Sequence, residues 1–129
     1  MRLNQVTLSV FNMQDCCEFY LTMGFTQIVK TDHYARYVCP DGDATFSLRL
    51  DQQLSMDNQH RSVIYFEHEQ LDKWVAELVV KGIKFEQLPV DQPYLWREAI
   101  LFDPSGNKIK LYWAGENRIN PPWRVAITQ

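Results

Sequence analysis

The sequence predicts an α+β fold in which two βαβββ modules form curved mixed sheets around a concave cavity. Three observations carry this. Strand patterns and two helical patterns fall in the order strand, helix, three strands, and then in that order again. Each helical pattern ends at a glycine followed by an apolar residue, Gly24 then Phe25 and Gly82 then Ile83. A Pro-x-Gly turn stands at the matching point of each half, at Pro40 and at Pro104. Matching landmarks at this spacing point to duplication.

From Leu3 to Val10 the side chains alternate, Val6, Leu8 and Val10 against Gln5, Thr7 and Ser9, which is the pattern of a half-buried strand. Asn12 is placed to cap a helix over about Met13 to Met23, with Asp15 and Glu18 early in it and Phe19, Leu21 and Met23 as its apolar packing. Phe25 to Thr31 and Tyr34 to Cys39 read as strands, and Pro40-Asp41-Gly42 turns the chain into a strand from Ala44 to Leu50. That strand sets Phe46, Leu48 and Leu50 against Thr45, Ser47 and Arg49. Residues 51–61 are polar, lack apolar periodicity and read as a linker between a module of about 3–50 and one of about 62–113. The second module repeats the order with a strand from Ser62 to Glu67 and a helix from about Glu69 to Lys81. Strands follow over Ile83 to Leu88 and Tyr94 to Phe102, with Pro89 to Pro93 as the loop between them. In the final hairpin Pro104 and Gly106 reverse the chain, after which Ile109 and Leu111 alternate with Lys108, Lys110 and Tyr112. A tail over residues 114–129 completes the single domain.

Composition narrows the function. At 129 residues with 46% apolar and 22% charged side chains, the chain can bury a sizeable core without disulfides or a structural metal. A net charge of −3 provides no general basic field for nucleic acid. The sequence contains no apolar run of membrane-spanning length, and its amino terminus has no signal-peptide core, so a cytoplasmic protein is expected. Three cysteines, Cys16, Cys17 and Cys39, are odd in number and lack Cys-x-x-Cys spacing; they read as packed thiols. His33, His60 and His68 are dispersed and read as surface or capping residues. No Gly-x-Ser-x-Gly turn or phosphate-cradling glycine loop appears.

The repeated order, with Phe19-Tyr20 and Gly24-Phe25 in the first half and Asp103-Pro104-Ser105-Gly106-Asn107-Lys108-Ile109 in the second, resembles the vicinal oxygen chelate superfamily over about residues 3 to 113. That group includes glyoxalase I, bleomycin resistance proteins and extradiol dioxygenases. The tail from Ala114 to Arg124 is similar to the ending of a subset of uncharacterised glyoxalase-like proteins. The resemblance implies a homodimer and, in catalytic members, a divalent ion on four inward positions, which here are Gln5, Ser47, Val63 and Lys110. Only Gln5 is a competent ligand. A lysine at ~4 Å from a dication, with an effective dielectric near 20, repels it by on the order of 8 kcal/mol. No metal or other cofactor is therefore expected.

The polar side of the strands then becomes the candidate ligand-binding lining: Gln5, Thr7, Ser47, Arg49, Tyr65, Arg97, Lys110 and Tyr112, with Trp96 or Trp113 available for stacking. Two readings of this lining stay open. In one the charges of Arg49, Arg97, Lys110 and Glu67 neutralise one another on a solvated sheet face. In the other a small anionic or aromatic molecule binds there without metal, its anionic group received by the basic residues. Glu67 and Glu98 are the candidate general bases should a reaction occur. The alternatives are a lyase, isomerase or dioxygenase of the same group using a relocated metal, and a purely structural or partner-binding domain, whose cavity its own side chains would fill. Trp123, carried by the stiff Pro121-Pro122, is placed to cover the cavity, to meet a second subunit or to pack on its own sheet.

Overall fold

The computed structural model describes residues 1–55 and 62–126. The chain divides into two compact units, one formed by Met1–Val63 with Phe102–Lys108 and the other by Ile64–Leu101 with Ile109–Gln129. His60 and most of the expected linker, residues 56–61, lie outside the described residues. Among those described, no helix is long and apolar enough to cross a membrane.

In the first unit the strands are β1 (Gln5–Val10), β2 (Thr26–Lys30), β3 (Tyr34–Val38) and β4 (Thr45–Leu50), with helix α1 (Met13–Met23) between the first two. Their order is β1-β4-β3-β2, β1 running parallel to β4 and the other pairs antiparallel. The sheet is therefore mixed, as expected. One face is apolar: Leu8, Val10, Ala35, Tyr37, Phe46 and Leu48 are all buried. Against it α1 lays Tyr20, whose ring meets Phe46 edge-on at 5.0 Å, while Tyr37 stacks on Phe46 at 5.3 Å. The helix buries Met13, Cys16, Cys17, Tyr20 and Met23. Leu21, expected to pack, is exposed because a 3.6-residue period puts the Cys16-Tyr20-Met23 stripe on the sheet and Leu21 off it.

Both ends of α1 follow local rules. The Asn12 side chain accepts from the Asp15 backbone N–H at 3.1 Å, and Gly24 closes the helix at φ 104° with its N–H on the Leu21 carbonyl. Asn12→Ala is expected to lower stability by about 1 kcal/mol. A urea midpoint equal to that of the parent would show that the cap contributes nothing.

The remaining elements are β5 (Val63–Glu67), α2 (Leu71–Val80), β6 (Gln87–Asp91), β7 (Arg97–Phe102) and β8 (Lys108–Trp113), with sheet order β5-β8-β7-β6; all of their residues but Val63, Phe102 and Lys108 belong to the second unit. A 3-10 turn over Gly115–Arg118 follows. Helix α2 buries Leu71, Val75 and Leu78, and Gly82 ends it at φ 94°.

Two strand boundaries differ from the sequence expectation. The strand expected at Ile83 to Leu88 lies instead at Gln87–Asp91, because the Ile83 N–H turns back to the Leu78 carbonyl and pairing with the next strand begins only at Glu86. Pro89, expected in a loop, is accommodated within β6, which is an edge strand broken in register between Gln87 and Val90. The next strand starts at Arg97, not Tyr94. A tight turn closes over Gln92–Trp96, the Gln92 N–H bonding the Trp96 carbonyl at 2.8 Å, and it holds Leu95 at φ 68°. A left-handed leucine costs about 1–2 kcal/mol, and this strained turn sets the neighbouring Tyr94 and Trp96.

Candidate functional site

The second unit gathers aromatic side chains from separate elements. Tyr65 on β5 and Tyr112 on β8 meet edge to face at 5.5 Å, and Trp96 from the strained turn stacks on Tyr112 at 4.7 Å with an interplanar angle of 17°. Tyr65 also meets Trp96 edge-on at 5.9 Å. Beside them lies a cleft of about 360 Å³ lined by Tyr65, Tyr94, Trp96, Asn117, Arg118, Pro121 and Trp123. This volume suits a small organic molecule. Trp123 is a wall of the cleft and remains 57% exposed. The Trp96 indole N–H points to the Asn117 carbonyl at 3.5 Å, which links the tail to the cluster.

Under the aromatic wall is an ion pair. Lys110 Nζ bonds Glu98 Oε1 at 3.1 Å, with the two side chains only 17% and 2% exposed. The Tyr94 hydroxyl donates to the same Glu98 oxygen, and the Lys110 ammonium lies 5.6 Å from the centre of the Tyr65 ring. Burial raises the Tyr94 phenol, and the bond to Glu98 raises it further. Burial by itself pulls the Lys110 ammonium down, but the hydrogen bond and charge of Glu98 outweigh that, and the net shift is upward. Tyr65 and Tyr94 thus belong to both the cleft wall and the support of the ion pair.

The candidate residues separate into groups. Tyr65, Trp96, Lys110 and Tyr112 come together, with Glu98 facing Lys110. Arg97 is not with them. Its position in the strand turns it to the α2 side, where Asp72 holds it in a two-pronged pair at 2.9 and 3.1 Å and Asp91 adds a third bond at 3.1 Å. Arg97 therefore has its guanidinium engaged by carboxylates. Trp113 likewise lines a groove with Arg97 and residues 69–73. Glu67 is exposed and lies 3.8 Å from Arg118, so it is not a desolvated base. His68 caps, as expected, by accepting the Gln70 N–H at 2.9 Å.

Gln5, Thr7, Ser47 and Arg49 lie in the first unit, on the open face of its sheet. Gln5 Nε2 donates to Ser47 Oγ at 2.8 Å, and Gln5 Oε1 accepts from Thr45. Ser47 is fully buried and also bonds the Tyr34 hydroxyl at 2.6 Å. At the four positions where the resemblance places metal ligands, Gln5 and Ser47 are thus bonded to neighbouring side chains, Val63 has no lone pair and Lys110 holds a cation against Glu98. These residues do not fit a divalent ion. Among the described residues no three His, Cys, Asp or Glu side chains form an alternative set. The Cys16 thiol, raised to about 12 by burial and then by Asp103, is unsuited to nucleophilic work.

Tyr94, Asn117 and Arg118 were not in the sequence-derived lining. The spacing Tyr94-x-Trp96 was a usable signal; Asn117 and Arg118 reach the cleft through a short 3-10 turn with no periodicity to read.

The order β1-β4-β3-β2 followed by β5-β8-β7-β6, with one helix per unit and an aromatic cleft of ligand size, defines a duplicated βαβββ protein of the glyoxalase-like class. Residues 2–111 match the family model described as Glyoxalase/Bleomycin resistance protein/Dioxygenase superfamily, and the chain belongs to that superfamily. Among solved structures it is similar to a glyoxalase/bleomycin resistance protein/dioxygenase from Nocardioides, with 18% identity, a TM-score of 0.76, and coverage of 98% of this chain and 90% of that one. A bleomycin-binding protein complexed with bleomycin matches at 15% identity and TM-score 0.73, covering 88% of this chain and 98% of that one. A lactoylglutathione lyase from Agrobacterium tumefaciens matches at 16% identity and TM-score 0.72, covering 87% and 92%. At these identities the likeness is one of fold. No curated protein matches the chain by sequence.

Proposed function

We propose that the protein binds a small planar aromatic molecule carrying an anionic group, and does so without a divalent metal. The observation that carries this reading is the Trp96-Tyr112 stack, with Tyr65 edge-on to it, beside a cleft that also presents Arg118. Aromatic faces favour a flat ring, and a guanidinium at the same cleft favours a carboxylate or similar group. Arg118, whose Nε lies 3.8 Å from Glu67 and so is held more loosely than Arg97 is by Asp72 and Asp91, takes the anion-receiving role expected of the basic lining residues. Further support comes from the donor set at the family's metal positions, where an ammonium replaces a ligand. The bleomycin-binding neighbour indicates that this fold can hold an organic guest.

The test is calorimetric titration with a panel of naphthoic and indole carboxylic acids, with and without EDTA. Saturable binding that EDTA leaves unchanged is expected, and Trp96→Ala should weaken it at least tenfold, about 1.4 kcal/mol. Absence of binding across the panel, or an unchanged affinity in the Trp96 variant, overturns the reading. Stoichiometric divalent metal in material purified without chelator would favour a lyase, isomerase or dioxygenase instead. A homodimer is part of the proposal by analogy with the superfamily, and light scattering checks it.

A further inference from the structure

The sheet of the first unit has no carboxylate in any of its strands. Its four strands read QVTLSV, TQIVK, YARYV and TFSLRL, so their only charged residues are Lys30, Arg36 and Arg49. This occurs in a chain with 16 acidic and 13 basic residues. Lys30 turns away, its ammonium bonding the Thr31 carbonyl at 2.8 Å. Arg36 and Arg49 share the open face. In the strand register Arg36 stands opposite Ser47 and Arg49 opposite Tyr34, which makes the two arginines diagonal neighbours, with backbones roughly 7–8 Å apart.

Arg36 is held in place. Its Nε donates to the Tyr34 hydroxyl at 2.9 Å, and its guanidinium carbon lies 5.4 Å from the centre of the Tyr34 ring. Tyr34 is anchored in turn by buried Ser47, and Ser47 by Gln5. This chain of bonds uses the inner edge of the guanidinium, and among the described residues its outer two nitrogens have no partner. Arg49 is exposed and has no carboxylate partner among the described residues. Ser9 stands opposite it on β1, which adds a hydroxyl.

Two cations on adjacent strands repel, and a fixed guanidinium loses less freedom on binding than a free one. We infer that Arg36 and Arg49 form an oxyanion site that takes the phosphate or carboxylate group of a small ligand. Arg36 presents its outer nitrogens as a fork and Arg49 closes from the neighbouring strand. The site lies wholly in the first unit and does not rest on the aromatic reading of the second.

The experiment measures the melting temperature of the full chain against inorganic phosphate and, separately, malonate, each at ionic strength matched with sodium chloride. A saturable rise above the chloride control is expected, and the stronger of the two probes identifies the preferred group. Arg49→Gln should weaken the response about tenfold and Arg36→Ala at least as much, while Trp96→Ala should leave it intact. Should Arg36→Ala disturb Tyr34 and fail to fold, Arg49→Gln, at an exposed side chain, decides alone. A chloride control that reproduces the whole rise overturns the site, as does an Arg49→Gln protein with the parent's response.

Discussion

Replacing Asp103 by alanine is expected to destabilise the protein by about 3–5 kcal/mol. The carboxylate is only 2% exposed and its four hydrogen bonds organise the turn around it. Oδ1 accepts the backbone N–H groups of Ser105 and Asn107, both at 2.9 Å. Oδ2 accepts the Tyr20 hydroxyl at 2.8 Å and the Asn107 side-chain amide at 2.9 Å. That same amide donates its other proton to the Ser9 carbonyl, and Ser105 Oγ accepts the N–H groups of Phe11 and Asn12 at the entry to α1. Within the first unit, then, the turn joins β1, α1 and the Tyr20 ring. Alanine would strand buried donors, each at about 1–3 kcal/mol. Tyr20→Phe removes one of the four bonds and should lose only about 1 kcal/mol. Urea denaturation of both variants provides the check: a loss below about 1.5 kcal/mol for the Asp103 variant would mean that water satisfies the turn.

Lys110→Met is expected to destabilise by about 3 kcal/mol at neutral pH. The ammonium is the only cation bonded to Glu98 among the described residues, and Glu98 is 2% exposed with one carboxylate oxygen lacking any described partner. Removing it leaves a buried charge supported by the Tyr94 hydroxyl. Replacing both residues, Lys110→Met with Glu98→Leu, should recover most of the loss, because the uncompensated charge leaves with its partner. The pH dependence follows from the direction of the Lys110 shift. Its folded-state pKa lies above the ordinary 10.5, so the stabilisation is complete below 10.5 and is lost as pH climbs through the raised value. The difference in stability between parent and Lys110→Met should be level from pH 7 to 9 and shrink above 10.5. A difference that is constant through that range would show that the pair does not act through charge.

Helix α1 was legible to the residue, since an Asn cap, an acidic first turn and a glycine stop are local signals that tertiary contacts did not override. The same held for the two Pro-x-Gly turns. Strand β6 was not legible. Whether a segment containing Pro89 can pair depends on its lying at the edge of the sheet, and edge position is decided by strand order. The site shows the same division. Parity placed Lys110 with Tyr112, but whether Glu98 or Arg97 joined them depended on the first residue of β7, and the Gln92–Trp96 turn moved that start by three residues. A one-residue change of parity exchanges the two faces of a strand, which is why Arg97 pairs with Asp72 while Glu98 faces Lys110. Arg36 was open to a period-two reading of Tyr34 to Val38, but nothing in that string revealed that Tyr34 would grip it.

By itself, then, the sequence determined the repeated order of elements, the caps and turns that bound them, and the identity of the side chains, Gln5, Ser47, Val63 and Lys110, at the positions where the resemblance places metal ligands. Each of these is written in residues close together or in the identity of a single side chain. Only the tertiary structure decided which charges meet, that Arg97 has its charge met by Asp72 and Asp91, and that Arg118 and Trp123 join the cleft. Those outcomes depend on strand order, on the parity set by a strained turn and on where the tail settles, and such long-range pairings leave no local pattern in the chain.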